Sequence, residues 1–88
     1  MERQEIIDGL VEILKTVRTI DPEKLVGVTE DTDFIADLNT PSTEMINIVV
    51  KTEQKFGVEF EDDDIDDLGS KVRNVVDLII RTKEKGNA

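Results

Sequence analysis

The sequence predicts an all-α four-helix bundle with a short third helix and a long packed loop between the first two helices. Three observations carry that expectation. Apolar residues recur at helical spacing over long stretches, strand-type alternation is weak, and Gly and Pro number only 5 and 2 in 88 residues. This length has room for one domain, residues 1–88, which buries only about 60% of its unfolded surface. Hydrophobic residues make up 38%, and with three Phe and no Trp or Tyr the core must be aliphatic.

The first helix is expected from about Glu2 to Thr19. Ile6, Leu10, Leu14 and Val17 form its apolar stripe, with Ile7, Val11 and Ile13 beside it. Gly9 interrupts this pattern at a cost of up to ~1 kcal/mol against Ala, which close packing against another helix would explain. Asp21-Pro22 either ends that helix or begins a new turn. The connection onward to Thr40 is unusually apolar for a loop. Leu25, Val26, Val28, Phe34, Ile35 and Leu38 are poorly suited to solvent, so the loop should cover one side of the bundle. Loops this long are uncommon inside a small domain.

The second helix is expected from about Pro41 to Phe56, with Thr40 as its N-cap and Gly57 as its terminator. Pro41 suits the first turn, because its missing N–H would be unpaired there anyway. At about 100° per residue, Met45, Ile48, Val49, Thr52 and Phe56 share the core face. Ile46, Val50 and Glu53 form a separate stripe outside it, with Thr43 at its upper end. From Glu59 to Asp67, seven of nine residues are acidic, and Phe60 and Ile65 are the apolar ones. A short third helix ending near Leu68-Gly69 fits this run. Ser70 is placed to cap the fourth helix, whose stripe is Val72, Val75, Val76 and Ile79. Arg81, Lys83 and Lys85 suit the negative end of its dipole, and Gly86-Asn87-Ala88 should fray. There are no internal repeats.

Composition excludes several classes of function. A formal net charge of −10 argues against nucleic acid, whose phosphates demand Lys and Arg. It fits basic partner surfaces found by electrostatic steering, or serves solubility alone. With no cysteine there is neither a disulfide nor a thiolate metal site. With no histidine, neither a Ser/His/Asp nor a Cys/His arrangement exists, and a serine nucleophile lacks its usual base. The paired carboxylates of the acidic run are too solvated to set contrasting pKa values, so the chain is not expected to be an enzyme. An EF-hand starting at Asp62 would need Gly and Glu where the chain has Asp67 and Arg73. No specific metal site is expected, although divalent ions would relieve repulsion among Asp62, Asp63, Asp64, Asp66 and Asp67. No signal peptide and no apolar run of membrane-spanning length are visible, so a cytoplasmic monomer without membrane insertion is the default.

The run Phe34-Ile35-Ala36-Asp37-Leu38-Asn39-Thr40-Pro41-Ser42 opens directly into the second helix. It sets the Ser42 hydroxyl in the first turn, where free N–H groups and the helix dipole favour a phosphate. Phe34, Ile35, Asp37, Leu38 and Ser42, with Phe56 closing the helix, resemble the acyl carrier protein family over essentially the whole chain.

The resemblance implies that Ser42 carries a 4′-phosphopantetheine arm, moved there from coenzyme A by a separate phosphopantetheinyl transferase. The arm's thiol would then hold acyl intermediates as thioesters and deliver them to acyl-loading and acyl-transferring enzymes with basic or apolar docking surfaces. It also implies the long packed loop. Thr43, Glu44, Ile46, Val50 and Glu53 become the partner-binding positions.

The chain departs from the family pattern around that surface. Pro41 stands where an acid is usual, Thr43 where an apolar residue is usual, and Asn47 and Gln54 where acids are frequent; Lys51 and Lys55 add positive charge. This is either drift on a solvated face or the mark of a specialised carrier serving a lipid or fatty-acid-derived pathway. Thr52 replaces a core aliphatic and either bonds its own helix backbone or shortens an acyl pocket. An aminoacyl or peptidyl carrier, and a carrier-like module that is never modified, remain as alternatives.

Overall fold

A computed structural model describes residues 2–86. Within these residues four helices form: α1 (Arg3–Leu14), α2 (Ser42–Phe56), α3 (Asp62–Asp66) and α4 (Val72–Gly86), with a 3₁₀ turn at Pro22–Leu25. Among the described residues there is no strand, only an isolated antiparallel bridge between Asp33 and Lys71. α1 packs against both α2 and α4, and the radius of gyration is 12.2 Å.

The apolar stripes are buried much as periodicity requires. α1 buries Ile6, Ile7, Leu10, Ile13 and Leu14, α2 buries Ile48, Val49 and Thr52, and α4 buries Val72, Val75, Val76, Leu78 and Ile79. Each fully buried aliphatic side chain contributes about 1.5–3 kcal/mol relative to exposure. Gly9 is the contact point between α1 and α2, since a Cβ there would lie 2.7 Å from Phe56 Cζ.

α1 stops at Leu14 rather than Thr19. The cause is Thr16, whose amide and hydroxyl both donate to the Ile13 carbonyl, at 3.0 and 2.6 Å. That carbonyl is thereby drawn out of the α-helical ladder. Val17 stays buried beyond the helix end. Asp21-Pro22 begins a new turn: the Asp21 carboxylate accepts the Glu23 N–H at 3.0 Å, and Pro22 opens the 3₁₀ turn.

The long loop is anchored at Ile20, Leu25, Phe34 and Leu38, all buried, as its composition requires. Val26 and Ile35 depart from the expectation, at 85% and 46% exposed. α3 is shorter than the acidic run and buries no residue. Gly86 belongs to α4 and not to a frayed tail; Asn87 and Ala88 lie outside the described residues.

Ser70 does not cap α4. Its hydroxyl donates to Asp33 Oδ2 at 2.8 Å, and its carbonyl accepts the Phe34 N–H at 2.8 Å. The Val72 and Arg73 amides reach back to the carbonyls of Thr32 and Glu30 at 2.9 and 3.0 Å. The start of α4 is thus held by the loop and not by its own local cap. Arg3, Glu30, Asp31, Arg73 and Asp77 form an ion-pair network over the same junction.

Candidate functional site

Ser42 is exposed and is the first residue of α2. The residue before it, Pro41, has φ −60° and ψ 141°, so it takes the N-cap position that the sequence assigns to Thr40. A residue preceding proline is steered toward extended geometry, and Thr40 is in addition pulled inward. Its amide donates to the Phe34 carbonyl at 2.9 Å and its side chain is 2% exposed. Among the described residues the Thr40 hydroxyl finds no partner there. Pro41 supplies the carbonyl that accepts the Glu44 N–H at 2.9 Å, starting the helix without a side-chain cap.

The residues leading to Ser42 form a tightly turned segment. Phe34 and Leu38 are core anchors, at 0% and 2% exposed. Asp33 organises the backbone between them, accepting the Ile35 and Ala36 amides at 2.8 Å each. The Ala36 amide, then the Ser70 hydroxyl, hold the Asp33 carboxyl below its ordinary value of 3.8. Asp37 closes the turn by accepting the Asp33 N–H at 2.8 Å. Asn39, in the left-handed region at φ 54°, redirects the chain toward Pro41. The aspartate of the motif therefore shapes the platform from which Ser42 projects.

Beside Ser42 lies an apolar groove of 240 Å³ between the first turns of α2, Ile35 and the segment around α3. Met45, Ile46, Val49, Ile65 and Leu68 form its walls with Ile35. Helical phase gives the α2 wall, but Ile35, Ile65 and Leu68 come from segments without usable periodicity, so sequence reading did not assemble the groove. Thr52 is not part of it. Its hydroxyl donates to the Ile48 carbonyl at 2.7 Å within a fully buried position.

Thr43, Ile46 and Val50 are exposed, the two aliphatics at 68% and 45%. Glu44 and Glu53 are half-buried. Glu53 is occupied: its carboxylate accepts the Phe60 N–H at 3.0 Å and so holds the chain after Gly57, which ends α2 at φ 66° in the left-handed region. Lys51 and Lys55 turn toward α1, donating to Thr16 Oγ1 and Glu12 Oε2, both at 2.9 Å. Among the described residues no group of three acid side chains converges as a metal site, and no helix is long and apolar enough to cross a membrane.

A search with protein-family models finds no match. The sequence is 43% identical over 54 residues to the meromycolate extension acyl carrier protein of Mycolicibacterium aurum, covering 61% of this chain and 53% of that one. The protein of the same name from Mycolicibacterium smegmatis is 41% identical over 54 residues, with 61% and 52% covered. The acyl carrier protein of Coprothermobacter proteolyticus is 35% identical over 56 residues, covering 64% of this chain and 65% of that one. The matched region thus spans about half the length of the mycobacterial relatives, 53% and 52%. In three dimensions the chain is similar to the acyl carrier protein of Enterococcus faecalis, with a TM-score of 0.68, 27% identity, and 93% and 99% of the two chains covered.

The chain is thus similar to acyl carrier proteins in both sequence and fold. Several features of the chain cluster around Ser42. Pro41 is an extended N-cap, Thr43 is an exposed hydroxyl, and α2 presents an outer side from which its lysines are turned away.

Proposed function

We propose that this protein is a carrier of acyl groups whose attachment point is Ser42. The observation that carries the reading is the exposed Ser42 hydroxyl at the head of α2, at the rim of an apolar groove. The residues present fit a 4′-phosphopantetheine group. A phosphate on Ser42 Oγ would lie against the first-turn amides and the positive end of a 15-residue helix. The groove offers apolar surface directly beside it. When bound, the group supplies a flexible arm ending in a thiol that holds acyl cargo as a thioester.

The chain's own part in the transfer reaction is limited and definable. Ser42 would contribute the attacking oxygen, its Oγ–phosphorus bond forming as the phosphoanhydride bond of coenzyme A breaks and adenosine 3′,5′-bisphosphate leaves. With no histidine in this chain, the Ser42 proton would pass to a base on the phosphopantetheinyl transferase. Phe34, Leu38 and the Asp33–Asp37 turn fix the platform, and Pro41 fixes the direction in which α2 starts. Catalysis on the cargo belongs to separate acyl-loading and acyl-transferring enzymes. The likeness to proteins named for meromycolate extension favours a specialised lipid pathway over an aminoacyl or peptidyl one. The whole chain acts as one carrier domain, and a cytoplasmic site of action fits its acidic composition.

Intact mass before and after incubation with coenzyme A and a broad-specificity phosphopantetheinyl transferase tests this. Wild type should gain one phosphopantetheinyl group and Ser42→Ala none. A wild-type protein that several transferases leave unmodified would overturn the reading in favour of an unmodified interaction module.

A further inference from the structure

We infer that the partner enzymes of this carrier dock on an uncharged strip of α2 through an apolar socket, and not through salt bridges to its acids. The inference rests on the carrier reading of Ser42. From Ser42 downward, the outer side of α2 exposes Thr43, Ile46, Asn47, Val50 and Gln54. These five positions span about three turns. None is charged, in a chain that is 36% charged. Ile46 and Val50, at 68% and 45% exposed, are the large aliphatics of the strip, and Ile35, at 46%, extends it across the groove beside Ser42.

The neighbouring charges are committed elsewhere. Glu53 is half-buried and holds the Phe60 amide, so its carboxylate serves the fold. Lys51 and Lys55 are drawn to Thr16 and Glu12 on the α1 side. Glu44 shares their flank by helical phase, and its carboxylate is 3.5 Å from the Asn47 amide nitrogen. A lysine or arginine brought onto the strip would lose hydration and meet only the Glu44 carboxylate at its edge, already shared with Asn47, which is costly. An uncharged, apolar partner surface loses nothing by covering Ile46 and Val50, and contiguous exposed aliphatics mark such contacts. A second copy of this chain is the poorer occupant. A stable dimer interface takes about 20–30 residues a side, and this strip offers far fewer, as suits brief contact with an enzyme.

Binding of the full-length Ser42→Ala chain to a broad-specificity phosphopantetheinyl transferase, read by fluorescence anisotropy, is the test. Parallel modification assays on chains with Ser42 intact accompany it. Ile46→Ser and Val50→Ser should each weaken binding about tenfold, Ile46→Asp more, and Glu44→Gln less than twofold. Urea midpoints should stay near wild type, because these positions are not core. Tighter binding by Ile46→Asp, or a tenfold loss in Glu44→Gln, would overturn the inference in favour of a basic socket. A wild-type dimer in sedimentation that Ile46→Asp dissolves would overturn it in favour of self-association. Mass gain on wild type with the inverted order of variants defeats the docking inference alone. No mass gain on wild type defeats the carrier reading and this inference with it.

Discussion

The segment from Asp33 to Thr40 has no regular element, whereas α3 is a helix, yet the irregular segment is the better anchored of the two. Phe34, Leu38 and Thr40 are at most 2% exposed, and one backbone and one side-chain hydrogen bond tie their segment to Ser70. α3 buries no residue, and its five positions include four aspartates. Its links to the rest are Ile65, packed at the edge of the core, and the Asp64–Arg81 pair at 3.5 Å. Regular hydrogen bonding thus says little about how firmly a segment is held; buried apolar surface says more, because it supplies most of the favourable free energy.

The largest effect should come from cutting the anchor of the irregular segment. Phe34→Ala removes a fully buried ring and is expected to cost about 3–5 kcal/mol in urea denaturation. Ile65→Ala, in the regular element, should cost under about 1.5 kcal/mol because its side chain is only half-buried. Equal losses at the two sites would erase the comparison.

Acid should loosen the irregular segment. The Asp33 carboxyl titrates below its ordinary value of 3.8 because the Ala36 amide and Ser70 hydroxyl hold the charged form. Such a group stabilises the fold fully above its unfolded-state value, and that stability is lost as pH falls through the lower, folded-state value. Exchange protection of the Ile35 and Ala36 amides should therefore fall as pH drops through and below 3.8, and Asp33→Ala should lose it at neutral pH.

Salt should act on the other region. Repulsion among Asp62, Asp63, Asp64, Asp66 and Asp67 is screened as the Debye length shrinks from about 30 Å at 0.01 M to 3 Å at 1 M. Amide protection from Ile65 to Leu68 should rise with salt while that of Phe34 and Thr40 stays constant. Strong protection in α3 at low salt would contradict this account. The smallest effect is expected at Thr40. Its buried hydroxyl lacks a partner among the described residues, so Thr40→Val should be neutral or raise stability by up to about 1 kcal/mol.

The same contrast explains what was legible in the sequence. Helical period located α2 and α4 and their core faces, because burial imposes that period on Ile48, Val49, Val75 and Ile79. It also placed Ser42 at the head of α2, since Pro41 and the preceding apolar run constrain the chain locally. The stop of α1 was missed because Val17 keeps the apolar rhythm after the helical hydrogen bonds have changed at Thr16. The Asp33–Ser70 bond joins residues 37 positions apart, and nothing local signals such a pairing. The exposure of Ile35 was missed for a related reason. Hydrophobicity says that a side chain prefers cover, but not that three separate segments leave a groove beside it.

Pro41 has a consequence for motion. A ring that fixes φ near −60° removes a torsional freedom immediately before Ser42, and the fifteen-residue rod behind it adds stiffness. An arm on Ser42, as proposed above, would swing from a stiffened backbone pivot, and its own length would set most of the volume it sweeps. For an enzyme docked on such a carrier, the local concentration of the cargo would become a matter of geometry, fixed at the moment of contact.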